Sequence, residues 1–404
     1  MRNIKTIVIL GLVTLVVILA ALFIQEPPTV IEGSGDLMFP DMGARVNDAN
    51  EIKVSHQSAT VTVVRRDHSW VVLEKSNYPA AEDRVRQYLI GLAQLRRLEP
   101  KTRNPGRYVE LGLDDIGEKN TKSAHVSVTD SDGGKIADLI VGDRRPAKSD
   151  PSKSELFVRV QDDPQSWLVE GKLPNYYTTT DWLDKTILKL DRKRIREVKI
   201  IHEDGEEVAM RRQDKTANDF QLLNVPKQAK VKSTFSINSI ANAFADLTLD
   251  DVLPQTEKKI ATGTGLRAEL TTFDGLRIIM ETVKNDDDTY ARFIANFDPL
   301  LIEQKTAHEA ADANSAKSES SGQPPQGKDA EAVKNEVERF NARWQGWSYK
   351  LPSYRFNSIA KRRDDLLEVE SKQSDNAGAS TGEAIGSDVA SGKTNETSEF
   401  SEAK

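Results

Sequence analysis

The residues able to do chemistry in this chain are few, and most stand in the wrong company. His308-Glu309 opens a zinc-protease pattern, but Asp312 occupies the position where the second histidine ligand is required. Ser358-Ile-Ala-Lys361, Ser374-Asp-Asn376 and Lys393-Thr-Asn395 imitate a penicillin-binding set. The last departs from Lys-Thr-Gly, and the last two lie in a polar tail that cannot hold a rigid oxyanion site. No Gly-x-x-x-x-Gly-Lys-Ser/Thr phosphate loop occurs, so ATP hydrolysis would have to reside in a separate chain. The chain has no cysteine, which removes disulfides, thiolate metal sites and cysteine nucleophiles together. No catalytic residue, metal ligand set or cofactor-binding residue is expected.

Three recurring sets remain. His56 and His202 hold equivalent places in two similar stretches, yet a site with one histidine from each would lack its other ligands, and both are expected to be solvated. Arg65-Arg66 and Arg211-Arg212 are candidates for contact with lipid head groups or an acidic partner. Solvated or ion-paired strand ends are the plainer reading. Trp70, Trp167, Trp182 and Trp347 could line a carbohydrate groove, although tryptophans within apolar strands belong more often to a core.

The elements that position these residues come in duplicate. EIKVSHQSATVTVVRRDHSWVVL from Glu51 returns as EVKIIHEDGEEVAMRRQDKTANDFQLL from Glu197. Alternation of apolar and polar residues predicts three short strands linked by tight turns at Gln57–Thr60 and Asp67–Ser69. Val85, Tyr88, Leu89, Leu92 and Leu95 then recur at helical spacing, answered by Ile237, Ile240, Phe244 and Leu247 behind a Ser233, Thr234 or Ser236 cap. Pro100 and Pro254 are expected to close those helices.

Further strands follow at 124–143 and 268–285, then at Leu156–Val160 and Tyr290–Ile294. Each half finishes on Lys-Leu-Pro-x-Tyr, at Lys172–Tyr176 and Lys350–Tyr354. The expected fold is α+β: two tandem copies of an antiparallel-sheet-plus-helix module, over residues 49–192 and 193–367. An insert at about 303–345 interrupts the second copy. Its polar part, 303–327, has the composition of disorder. Val333, Val337, Phe340 and Trp344 then mark an amphipathic helix for docking on the second copy or on a partner, which makes Trp344 a candidate contact. Residues 368–404 lack apolar periodicity and are expected to be a disordered tail.

Location is encoded ahead of the modules. Residues 6–24, TIVILGLVTLVVILAALFI, carry no charge. As a helix they would span about 29 Å, against a bilayer core of about 30 Å. Arg2 and Lys5 precede them, so the positive-inside bias keeps residues 1–5 in the cytoplasm and sends the bulk outward. A cleaved signal peptide fits less well, because the apolar stretch is long and Leu22-Phe23-Ile24 fills the exit where small residues are needed. Residues 25–48, with Pro27, Pro28 and Pro40, read as an extended tether. The balance of 56 basic and 63 acidic residues, a net charge of −7, argues against nucleic acid as a partner.

As an ordered set, these features resemble one family. They are the N-terminal anchor, the strand pair ending in Arg65-Arg66 and Ser69-Trp70, Ala80-Ala81-Glu82 ahead of a helix, YVELGLD at Tyr108–Asp114, and Leu139-Ile140-Val141-Gly142. Together they are similar to domain of unknown function 4340, whose Tyr-Gly-Leu-Asp signature is lengthened here between tyrosine and glycine. The resemblance implies a bacterial envelope protein. For some members it also implies an accessory place beside export-type ABC transporters, gliding-motility systems among them. It carries over no catalytic residue. The expected role is therefore a single-pass inner-membrane protein with a periplasmic, non-enzymatic interaction module, partnered by an envelope protein such as an ABC transporter. The alternative is a ligand- or glycan-binding module using the groove between the copies.

Overall fold

The computed structural model describes residues 34–369 except 58, 118–120, 148–149, 257–264, 286 and 303–328, and outside that range Thr14 alone. The anchor expected over 6–24 (Thr14 apart), the 303–327 stretch and residues 370–404 lie outside the described residues. Among the described residues, no helix is long and apolar enough to cross a membrane.

The chain is α+β, with antiparallel pairing throughout its two large sheets. In the first half, β1 (Glu51–His56), β2 (Ala59–Arg66), β3 (Ser69–Val72) and β4 (Tyr78–Pro79) form a meander. Asp67 and His68, at φ 47° and 68°, make the two-residue hairpin turn whose left-handed residues match strand twist. Helix α1 (Glu82–Ala93) follows, and then β5 (Arg96–Pro100), β6 (Ala124–Thr129), β7 (Lys135–Pro146), β8 (Ser154–Val160) and β9 (Ser166–Glu170). The first sheet runs β4-β3-β2-β1-β6-β7-β8-β9-β5.

The second half contains β10 (Thr186–Lys189), β11 (Ile195–Ile201), β12 (Glu207–Arg211), β13 (Gln221–Leu222), β14 (Ala229–Val231) and α2 (Thr234–Ala245). It continues with β15 (Asp246–Thr248), β16 (Asp251–Pro254), β17 (Arg267–Thr272), β18 (Leu276–Asn285), β19 (Asp288–Phe297) and α3 (Ala330–Trp344). The chain closes on β20 (Trp347–Lys350), α4 (Ser353–Ile359) and β21 (Leu367–Val369). Its sheet runs β13-β12-β11-β17-β18-β19-β20-β16, the same order of connections as the first without the edge pair partner β4. Two small pairs, β10 with β15 and β14 with β21, complete the strands.

The helical periodicity read from the sequence marks the buried face. Val85, Tyr88, Leu89 and Leu92 of α1, and Ile237, Ile240 and Phe244 of α2, are all at most 4% exposed. Leu247 is equally buried but belongs to β15, because the helix stops two residues earlier. Pro100 and Pro254 do not close helices as expected. Each ends an edge strand, β5 or β16, where a residue without an N–H leaves no ladder bond unmade.

Two boundaries also differ from the sequence reading. Residues 34–48, assigned to the tether, are part of the first half. The Gly35 and Met38 amides donate to the carbonyls of Arg97 and Leu95, and Met38 and Met42 are 2% and 1% exposed. Pro40 obscured that short apolar run. Glu368 and Val369, assigned to the tail, pair with Lys230 and Ala229 in β21.

Helix α3 docks on β19 through both packing and charge. Val333 and Trp344 are buried, and Asn341 exchanges two 2.8 Å hydrogen bonds with the backbone of Ala295. Arg194 binds Glu336 through both terminal nitrogens, at 3.1 and 2.8 Å, and Asp274 through Nε at 2.8 Å. Burial alone would weaken the guanidinium charge, but the bonds from Glu336 and Asp274 outweigh it and hold its pKa above the ordinary arginine value.

The two halves share one hydrophobic core. Tyr78 meets Trp347 edge-on at 5.0 Å and Tyr349 at 6.3 Å, while its hydroxyl donates to the Asp184 carbonyl at 3.2 Å. Lys75 pairs with Asp251 at 2.6 Å, and Arg343 with Asp184 at 2.7 Å. Burial pushes the Tyr78 phenol up to about 12 and also raises that of Tyr349.

Glu336→Ala should lower stability in urea unfolding by about 1.5–3 kcal/mol, because it strips the bidentate partner from a half-buried cation that keeps only Asp274. The raised phenol makes the contribution of Tyr78 complete below pH 10 and progressively lost as pH rises toward 12. Tyr78→Phe should therefore flatten the alkaline fall in melting temperature relative to the parent chain.

Candidate functional site

The four candidate arginines are not brought together into a patch. Arg65 is exposed and donates to the Asn47 carbonyl at 3.2 Å, and Arg66 is exposed at the end of β2. Arg211 pairs with Glu197 at 2.6 Å. Arg212 is only 2% exposed, and its guanidinium lies 4.5 Å over the Phe220 ring. Burial, followed by the nearby Arg192 charge, lowers its pKa. As a group offered to a lipid or partner, Arg212 is thus excluded by its burial.

Trp344 is not a contact residue either. It is 1% exposed, donates from Nε1 to the Ile187 carbonyl at 3.0 Å and stacks on Phe340 at 4.8 Å. The same stripe that suggested docking turns it into the core. Trp70 and Trp182 are core as well, at 7% and 0% exposed. His56 stacks on Tyr177 at 4.4 Å with rings 9° apart, and burial lowers its pKa. His202, expected to be solvated, is 7% exposed, and its Nε2 lies 3.3 Å from the Lys361 carbonyl. Among the described residues, no group of three or more His, Cys, Asp or Glu is placed to hold a metal ion.

What the structure does assemble is a cationic pocket of about 290 Å³ at the far end of β7 and β8. Arg144, Arg145, Lys153 and Lys172 line it, with Glu155 the only acid of its lining among the described residues. Arg145 binds Glu155 at 2.8 Å, and Lys153 reaches Glu170 at 3.0 Å. Arg144 donates to the Leu173 carbonyl and, at 3.1 Å, to the Tyr177 hydroxyl. Lys172 is exposed and makes no ion pair among the described residues.

Local sequence explains how these residues come to line one pocket. Between Val141 and Arg144 the β7–β8 register shifts, Gly142 and Asp143 on β7 standing against Phe157 alone on β8. Such a bulge re-aims the side chains beyond it. Here it sets Arg144 on the side of Leu156, within reach of Leu173 and Tyr177, and Arg145 beside Glu155 and Phe157. Gly142 sits at the shift beneath the Tyr108–Asp114 string, and a Cβ on it would lie 2.8 Å from the Gly112 carbonyl oxygen and closer still to that of Leu111. Gly112 takes φ 65°, Tyr108 donates to the Pro164 carbonyl at 2.7 Å, and Leu113 is fully buried beside Ile140. The string is a packing cap over the bulge.

On the other wall, the Lys-Leu-Pro-x-Tyr segment crosses α1 at Gly91. A Cβ there would be 2.7 Å from the Lys172 carbonyl oxygen, so glycine admits the close crossing. Tyr176 donates to Gln87 at 3.0 Å and lies edge-on to Trp182, locking the segment that carries Lys172.

The chain from Trp70 through this string and on into the second half, residues 70–264, matches the profile described as a domain of unknown function, DUF4340. Residues 70–264 belong to the DUF4340 family. The DUF4340 match holds all of the pocket's lining, the YVELGLD cap and Gly142, and it crosses from the first sheet into the second. No curated protein and no solved structure matches the chain.

The pocket was not visible in the sequence. Its one signal was the run of cations at Arg144-Arg145 behind a glycine inside a strand pattern. Gly142→Ala should destabilise the chain by about 1–3 kcal/mol in chemical denaturation, since backbone faces the added methyl. Lys172→Gln, at an exposed side chain, should change stability by less than about 0.5 kcal/mol.

Proposed function

We propose that this DUF4340 protein is a single-pass inner-membrane protein whose two halves, copies of one α+β unit, form a periplasmic interaction module. In this reading residues 6–24 are the stem, and the module serves as a non-enzymatic accessory of an envelope assembly such as an ABC-type exporter. The uncharged apolar stretch supports the stem, and the shared strand order of the two sheets supports descent from one unit.

The observation that carries an interaction role, over a ligand clamp between the copies, is the filled join. Binding in a groove between lobes calls for an open cleft and a hinge that closes it. Here Tyr78, Trp347 and Tyr349 fill the join, and one core runs through both halves. A stiff double module of this kind suits a spacer or docking platform.

Crosslinking of the intact, membrane-embedded chain followed by affinity purification tests this reading. Recovery of a transporter permease or ATPase is the expected outcome. A reporter fused to the C-terminus should be active only outside the cytoplasm; activity in the cytosol, or crosslinking that yields only a soluble glycan, would overturn the proposal.

A further inference from the structure

We infer that the pocket lined by Arg144, Arg145, Lys153 and Lys172 binds a phosphate group, carried by a small soluble ester or by a lipid head group. The inference is independent of the proposed partner role, since it needs neither a transporter nor a stem.

Charge balance points to the ligand class. Four cations line the pocket, and two are neutralised in place, Arg145 by Glu155 and Lys153 by Glu170. Among the described residues that leaves Arg144 and Lys172, a surplus of two positive charges. A phosphate monoester carries about −1.5 to −2 at neutral pH, which matches that surplus, whereas a single carboxylate would leave a cation unpaired.

Preorganisation supports a site rather than a chance cluster. Glu155, 6% exposed, holds Arg145, while Tyr177 and the Leu173 carbonyl hold Arg144. Guanidinium groups fixed in this way lose little freedom when they bind a tetrahedral anion. The bulge at Gly142–Asp143 turns Arg144 to the Leu156 side, where Leu173 and Tyr177 hold it, while Arg145 lies by Glu155 and Phe157 on the other wall, and strand bulges are over-represented beside functional sites.

The second half supplies an internal contrast. Lys350, at the head of the other Lys-Leu-Pro-x-Tyr string, is neutralised by Asp288 at 2.8 Å. Lys172 has no such partner among the described residues. One copy of the string closes its lysine in an ion pair, and the other leaves it facing a cavity. At about 290 Å³ the space lies near the lower end of small-ligand pockets, roughly 300 Å³. Pro146, Leu156 and Leu173 offer apolar wall for whatever carries the phosphate.

The test uses the full chain in neutral detergent micelles at constant ionic strength. It is titrated first with inorganic phosphate and then, separately, with micelles doped with phosphatidic acid, following phosphorus NMR line width and melting temperature. Saturable binding of either probe is expected. Lys172→Glu should weaken it about tenfold or more, the scale of one charge-assisted hydrogen bond. Lys53→Glu, the same charge change at an exposed site on β1, should leave it unchanged. Phosphate binding assigns a soluble source, and binding of the doped micelle alone assigns a lipid. Saturation by neither probe, or equal weakening by the two variants, would overturn the inference.

Discussion

Tyr78 touches Trp347 with one edge and Tyr349 with another, and that contact constrains both sheets at once. A two-residue strand carries it, at the rim of the first sheet, so the rim cannot drift without opening the core of the second. The surrounding polar bonds are arranged to suit. The Tyr78 hydroxyl finds the Asp184 carbonyl, Asp184 holds Arg343, and the Arg343 guanidinium also reaches the Thr186 carbonyl. Each buried polar atom named here has its partner, which is the condition under which such a join adds rigidity.

The connection between the halves is itself structural. The Ala81 amide donates to the Trp182 carbonyl, and the Asp184 amide to that of Pro79, so the chain leaving the first sheet returns to the start of α1 before entering β10. Trp182 then fills the space beneath Tyr88 and Tyr176. A segment that looked like a boundary between modules is thus part of the packing of both, and the interface behaves as interior.

Much of the secondary structure was legible because period-two and period-3.6 patterns depend on local burial alone. Ile52, Val54, Val61 and Val63 alternate as read, and the stripe on α1 faces inward. What escaped the sequence depends on contacts distant along the chain. Met38 is tied to Leu95 just after α1, Met42 sits on a turn packed against α1 and β7, and Trp344 gains its burial from β19 and β10. His202 is covered by the segment around Lys361, more than 150 residues away. The pocket escaped for a similar reason. Its arginines end β7 while its lysines come from the turn before β8 and the segment after β9, and a single added residue at Gly142–Asp143 sets the face that Arg144 takes.

The docking of α3 also has a consequence for chain connectivity. Leu301 is held by Arg196 at 3.0 Å just before the undescribed stretch, and Asp329 caps α3 just after it through the Ala332 amide at 2.7 Å. With Asn341 clasping β19 and Arg194 clasping Glu336, both flanks are fastened to the same sheet by bonds that do not pass through the residues between them. New chain ends opened between Ile302 and Asp329 would leave two pieces still clipped together, which makes that junction the natural place to graft a tag, splice a second domain or re-join the protein in a different linear order.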